Sequence, residues 1–175
     1  MIDAPRRGGM HGFVVRNKKS LAAGGAGSAA VAIALSVSYV LPTHEATKLR
    51  AYRDAVGVWT ACTGETKGVR PGQTFTKQQC AEKLAARTRE FNAGVERCVH
   101  RPMTVGVRIA FIDTAYNIGI GGFCSSSIVR LYNEGKTRQA CDAIGRYVYA
   151  RGRWLKGLAN RRKDVIEICY AGIPG

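Results

Sequence analysis

Between Ser20 and Leu41 the chain carries no charged residue, and the stretch before it holds Arg6, Arg7, Arg16, Lys18 and Lys19 against a single Asp3. As one helix, the uncharged run would span roughly 33 Å, enough to cross a bilayer. A basic flank ahead of an apolar run places the N-terminus in the cytoplasm. The sequence is therefore expected to divide into a basic cytoplasmic leader over 1–19, one hydrophobic helix over 20–41 and an exported remainder over 42–175. The run is a weak membrane segment: Ala, Gly and Ser fill 14 of its 22 positions. These residues gain little from lipid, so such a helix can leave the membrane again. A cleaved signal peptide and a flexible linker are the rivals. No A-x-A site follows the run, Pro42 and Thr43 come next, and the Val31–Leu41 half is too apolar for a linker.

Export also suits the cysteines. All six (Cys62, Cys80, Cys98, Cys124, Cys141 and Cys169) lie after the uncharged run, and none forms a C-x-x-C pair. That argues against a zinc ribbon or a thioredoxin-like site and favours disulfides in an oxidising compartment, with buried free thiols as the alternative. Six cysteines allow about 15 full pairings, and their count selects none. The formal net charge of +15 directs the chain toward polyanions: nucleic acid, anionic lipid or an acidic polymer such as cell wall. Charge alone does not choose among them. His11, His44 and His100 have no partners at ligand spacing, and none is assigned a catalytic role.

The apolar pattern predicts a short β region followed by helices. Val58–Thr63 is β-prone between Gly57 and Gly64. Arg70-Pro71-Gly72 reads as a turn. Thr76 with Gln79 fits a capping box, and Cys80, Leu84, Thr88, Phe91, Val95 and Cys98 then recur at helical spacing. Val105, Ile109, Ile112 and Tyr116 predict a central helix closed by a turn through Gly119, Gly121 and Gly122. Ser125 or Ser126 can cap a segment over Ile128–Glu134, Thr137 a helix through Ala150. A last helix over about Leu158–Tyr170 turns Val165, Ile166 and Cys169 inward.

Glu45 and Asp54 lie nine apart, and Thr60 follows Asp54 by six. Glycoside hydrolysis needs two carboxyl groups flanking the scissile bond, one protonated to serve the leaving oxygen and one ionised to attack or to position water. A helix end, a turn and a strand could place Glu45 and Asp54 across one cleft, with the Thr60 hydroxyl helping to hold the water. The spacing alone is weak, because Asp54 could equally be a turn residue.

The residues around it are more specific. The stretch Glu45 to Thr60 resembles the active-site segment of phage-type lysozymes, glycoside hydrolase family 24: Tyr52, Asp54, Gly57, Trp59 and Thr60 all fall on that family's pattern. Ala115–Phe123 is similar to its Asn-x-Gly-x-Gly-x-Phe turn, Ser125–Ser127 to the polar run after it, and Arg153-Trp154 with Gly157–Arg162 to its C-terminal helix entry. The uncharged run resembles the signal-anchor-release segment that some phage lysozymes carry. The resemblance implies an α+β, lysozyme-like fold: a small N-terminal β lobe joined by a long helix to a helical C-terminal lobe. It implies an endolysin that cleaves peptidoglycan between N-acetylmuramic acid and N-acetylglucosamine, with inversion. Glu45 would be the general acid, Asp54 and Thr60 would position or activate water, and Asn117 and Ser126 would touch the glycan. No cofactor is implied. The tether would constrain Glu45, four residues past Leu41, until release into the periplasm frees the enzyme. Position in the chain favours Cys62–Cys80 between the β lobe and the next helix, and Cys141–Cys169 between the last two helices; Cys98–Cys124 is what remains.

Two departures stand out. Ala46 replaces the usual Gly after the catalytic Glu, and Gly64-Glu65-Thr66 replaces Gly-His-Thr. Glu65 would then be a third acid near the site, either raising a catalytic pKa by repulsion or facing water. Three other functions compete: a lytic transglycosylase, which needs only one carboxyl group; a cationic membrane-disrupting or wall-binding protein without glycosidase activity; and a nucleic-acid binder, which export disfavours. Nothing in the sequence calls for an oligomer, so a monomer is expected.

Overall fold

A computed structural model describes residues 9–25, 28–36, 41, 47–54, 57–150 and 152–174. The described residues are mostly helical, with two small antiparallel sheets, as the α+β expectation requires.

The chain enters through two helices, α1 (Gly9–Ala22) and α2 (Ser28–Leu35). A helical N-terminal segment was expected, but its limits differ. Helix α1 begins inside the basic leader, and Gly25 at φ +104° lies in the break before α2. Glycine takes that conformation at no steric cost, which is why the chain turns there. Both helices lie against the rest of the fold. Met10, Phe13, Val14, Leu21 and Ala32 form one buried cluster with Val105, Ile109 and Ile168. Among the described residues, no helix is long and apolar enough to cross a membrane.

Strands β1 (Lys48–Arg53) and β2 (Trp59–Cys62) form the first hairpin. Tyr52 pairs with Thr60 and Arg53 with Trp59, and an irregularity separates them from the Lys48–Cys62 pair. The strand edge is extended by Phe75 N–H donating to the Leu49 carbonyl and Ala51 N–H to that of Gln73, each at 2.8 Å. Ala51, Ala61, Cys62, Val69 and Cys80 make its small core.

Helix α3 (Lys77–Cys98) then leads into the helical lobe. Its capping box is complete: the Thr76 hydroxyl accepts from Gln79 N–H at 3.1 Å, and the Gln79 side chain accepts from Thr76 N–H at 2.8 Å. Helix α4 (Val105–Ile118) is central, and every residue from Val105 to Ala115 is buried. A helix covered on all sides is largely apolar, and its two buried charged residues, Arg108 and Asp113, are each paired. Phe111 packs on Phe123 and edge-on to Tyr132, with ring centroids 5.4 and 5.1 Å away.

The remaining helices are α5 (Ile120–Cys124), α6 (Ser127–Asn133), α7 (Thr137–Ala143) and α8 (Lys156–Ala171). Two local expectations give way here. Gly119, at φ +81°, ends α4, but Gly121 and Gly122 belong to α5 and not to a turn. The helix expected from Thr137 to Ala150 stops at Ala143, passes through a 3-10 turn (Ile144–Arg146) and gives way to β3 (Tyr149–Ala150), which pairs with β4 (Arg153–Trp154). Gly152 at φ +73° makes the tight connection. Disulfides join Cys62 to Cys80, Cys98 to Cys124 and Cys141 to Cys169.

Candidate active site

Asp54 ends β1 at the turn into β2, and its own hydrogen bonds build that turn. The Asp54 N–H donates to the Val58 carbonyl at 3.0 Å, Gly57 N–H donates to the Asp54 carbonyl at 3.0 Å, and Val58 N–H donates to Asp54 Oδ1 at 2.9 Å. Gly57, at φ +82°, takes the left-handed position that the turn requires. This leaves Oδ2 directed at the next strand. There the buried Thr60 hydroxyl lies 3.4 Å from Oδ2 and 3.1 Å from the Val58 carbonyl. The two side chains are six residues apart in sequence and adjacent in space because the hairpin register brings Thr60 opposite Tyr52.

Glu45 falls outside the described residues, so the position of the expected general acid relative to this pair is not part of the geometry.

Glu65 does not face water. It is buried, with Ala61 and Glu65 exchanging two backbone hydrogen bonds at 2.9 Å. Its Oε1 accepts the Lys67 N–H at 2.6 Å, and Oε2 lies 3.8 Å from Arg87 Nε. These contacts make it a turn-stabilising group and not a carboxylate facing water.

The helical lobe meets this hairpin at the last turn of α4. The Tyr116 hydroxyl donates to the Thr63 carbonyl at 2.6 Å, and its ring lies 5.0 Å from that of Phe91. Asn117, next in sequence, is half-buried, and its Oδ1 accepts from Arg162 Nη2. Ser126 caps α6: its hydroxyl oxygen accepts the Val129 N–H at 3.4 Å. Asn117 and Ser126 therefore both have structural partners.

Behind Asn117 lies a buried ionic group that sequence reasoning did not single out. Asp113 is fully buried and held by Arg161 through two parallel bonds, Nε to Oδ2 at 3.1 Å and Nη2 to Oδ1 at 3.0 Å. Arg162 Nη1 lies 4.0 Å from Asp113 Oδ2, and Arg162 Nε donates to the Tyr147 carbonyl at 2.9 Å. Burial pulls the Arg162 pKa below the usual arginine value, and the Asp113 carboxylate opposes that pull. A signal for these residues was present: Arg161 and Arg162 stand four and three positions before Val165, on the inward face of α8. Among the described residues, no group of three or more His, Cys, Asp or Glu could hold a metal.

Comparison with known proteins identifies the family and the fold. The phage lysozyme family model matches residues 42–164. The SAR-endolysin of Enterobacteria phage P21 is 40% identical over 126 residues, covering 69% of this chain and 74% of that protein. The SAR-endolysin of Pseudomonas phage phiKMV is 33% identical, covering 81% of this chain and 88% of its own. The muramidase domain of SpmX from Asticaccaulis excentricus superimposes with a TM-score of 0.71 at 25% identity, over 76% of this chain and 92% of that one. The active form of P1 phage endolysin Lyz shares the fold across 98% of this chain and 97% of its own, with a TM-score of 0.72 at 20% identity. With its Asp–Thr hairpin inside the matched region, the chain belongs to the phage lysozyme family.

Proposed function

We propose that the chain is a phage endolysin that hydrolyses the β-1,4 bond between N-acetylmuramic acid and N-acetylglucosamine in peptidoglycan. The observation that carries this reading is the Asp54–Thr60 pair: a carboxylate fixed through one oxygen by the turn, with the other oxygen beside a hydroxyl on the facing strand. Such a pair can hold a water molecule and accept its proton. In this reading Glu45 is the general acid that protonates the leaving oxygen, the water held by Asp54 and Thr60 attacks the opposite face of the sugar, and the anomeric centre inverts. Asn117 and Ser126 line the glycan cleft, and no cofactor takes part. The enzyme acts as a monomer and does not bind nucleic acid.

Residues 1–19 are read as a cytoplasmic leader, 20–41 as a signal-anchor-release segment in the host inner membrane and 42–175 as the catalytic domain. The packing of α1 and α2 against Val105, Ile109 and Ile168 then belongs to the enzyme after release into the periplasm. In the tethered form Arg16, Lys18 and Lys19 stay on the cytoplasmic side.

The experiment is loss of turbidity of purified peptidoglycan by the wild type and by Glu45→Gln. General-acid catalysis is worth about 10²–10⁴ in rate, and a loss of that size is expected with folding intact. Equal activity would overturn the assignment and leave the +15 charge as the basis of a membrane-disrupting function. Product analysis distinguishes the lytic transglycosylase, which leaves an anhydro sugar end.

A further inference from the structure

The Asn117 amide has a fixed orientation. A guanidinium carries donors only, so the Asn117 atom that faces Arg162 Nη2 is the oxygen. The amide nitrogen, with both of its N–H bonds, is turned away from Arg162, and among the described residues it makes no hydrogen bond of its own. Arg162 in turn cannot swing aside. Its side chain is 2% exposed, Nε is bound to the Tyr147 carbonyl at 2.9 Å, and Nη1 lies 4.0 Å from the Asp113 carboxylate. Arg161 grips the same carboxylate through two bonds and holds it in place. A charged donor on the amide oxygen also polarises the amide, which makes its N–H groups better donors. Asn117 stands on the last turn of α4, beside Tyr116, which reaches the β hairpin that carries Asp54 and Thr60.

We propose that Arg162 is a positioning residue for substrate: it fixes the Asn117 amide as an obligate hydrogen-bond donor to an acetamido carbonyl oxygen of the glycan. This rests on the reading that Asn117 lines the glycan cleft. The arrangement selects for an N-acetylated sugar, because a carbonyl oxygen accepts what Asn117 offers and an ammonium of a deacetylated sugar does not. Lysine at position 162 retains the charge but lacks the planar fork that reaches Tyr147, Asp113 and Asn117 at once.

The test compares wild type, Asn117→Asp, Arg162→Lys and the double variant on a soluble peptidoglycan oligosaccharide, reading kcat, KM and thermal midpoint for each. Asn117→Asp places a carboxylate against Arg162, so the midpoint is expected to hold or rise. Its two donors are gone, so KM is expected to rise about tenfold with kcat little changed, the size of one lost hydrogen bond. Arg162→Lys is expected to raise KM comparably, and the double variant to be no worse than Asn117→Asp alone. If Asn117→Asp leaves KM unchanged, the glycan-contact reading itself fails. If it raises KM while folded Arg162→Lys does not, or if the double variant is additive, the positioning role fails and the reading survives. Should Arg162→Lys not fold, the side-chain amide resonances of Asn117 in the wild type decide the matter. They are expected to shift when an N-acetylglucosamine oligosaccharide is titrated in, and not with its deacetylated counterpart; equal response to both overturns the proposal.

Discussion

The carbonyl oxygen of Ala23 accepts the N–H of Val105 at 2.9 Å, so the chain segment between α1 and α2 caps the central helix. The first N–H groups of a helix have no partner within it. Thr104 would ordinarily supply one, but its hydroxyl donates to the Gly172 carbonyl at 2.7 Å and makes no cap hydrogen bond. The N-terminal segment therefore completes the helical lobe through its backbone as well as through its apolar side chains.

Phe13, 3% exposed, is the largest side chain in that apolar contact. Phe13→Ala is expected to cost about 3–5 kcal/mol in unfolding of the soluble protein, the range for a buried aromatic replaced by alanine. Urea denaturation measures it. A loss below about 1 kcal/mol would mean that α1 does not pack on Ile109 and Ile168 in solution.

The two carboxylate oxygens of Asp54 face different partners, which separates a structural role from the proposed catalytic one. Its Oδ1 accepts the Val58 N–H at 2.9 Å and its Oδ2 lies beside Thr60. Asp54→Asn retains an acceptor for Val58 but removes the carboxylate proposed to activate water, so it is expected to keep the thermal midpoint and lose at least about 10² in rate. Asp54→Ala is expected to lose the rate and about 1 kcal/mol of stability besides. Turbidity assays and calorimetry on the two variants separate these roles, and full activity in Asp54→Asn would remove Asp54 from the chemistry.

The Asp113–Arg161 pair is buried at both ends. Removing one partner leaves a charge that cannot reach water. Asp113→Asn is therefore expected to cost about 3–5 kcal/mol, measured by chemical denaturation. A near-neutral result would show that the charge finds water by local opening.

Tyr132 supplies a pH dependence. Its hydroxyl donates to the Pro102 carbonyl at 2.7 Å, and burial raises its pKa above the ordinary tyrosine value. In the unfolded chain tyrosine loses its proton at about pH 10. Below that pH both states keep the proton and the contribution is fully present. Above it the unfolded state gives up its proton first, so stability falls as pH rises toward the folded pKa. Tyr132→Phe is expected to show a shallower loss of stability above about pH 10 than the wild type. Identical slopes would show that Tyr132 titrates as it does in the open chain.

What the sequence determined by itself was local. The capping box of Thr76 and Gln79, the apolar periodicity of α4, the strand at Trp59–Cys62 and the turn chemistry around Asp54 and Gly57 depend on neighbours within a few residues, and the local pattern exposes them directly. The Asp54–Thr60 proximity belongs here too, since a hairpin register converts a spacing of six into a contact. The tertiary structure decided everything that depends on which surfaces meet. Six cysteines allow about 15 pairings, and only folding brings Cys98 beside Cys124 across 26 residues. The β3–β4 hairpin replaces the end of a helix expected to run to Ala150; its strand residues are exposed, and Gly152 at φ +73° closes the turn between them. Arg161 and Arg162 look like surface charges in a basic chain; they become interior groups because Asp113, 48 residues away from Arg161, waits on the face of α4 against which α8 packs. The docking of the uncharged segment is likewise tertiary. Apolarity requires that Leu21 and Ala32 leave water, but lipid and the surface formed by Val105, Ile109 and Ile168 satisfy that requirement equally, and only the fold supplies the second.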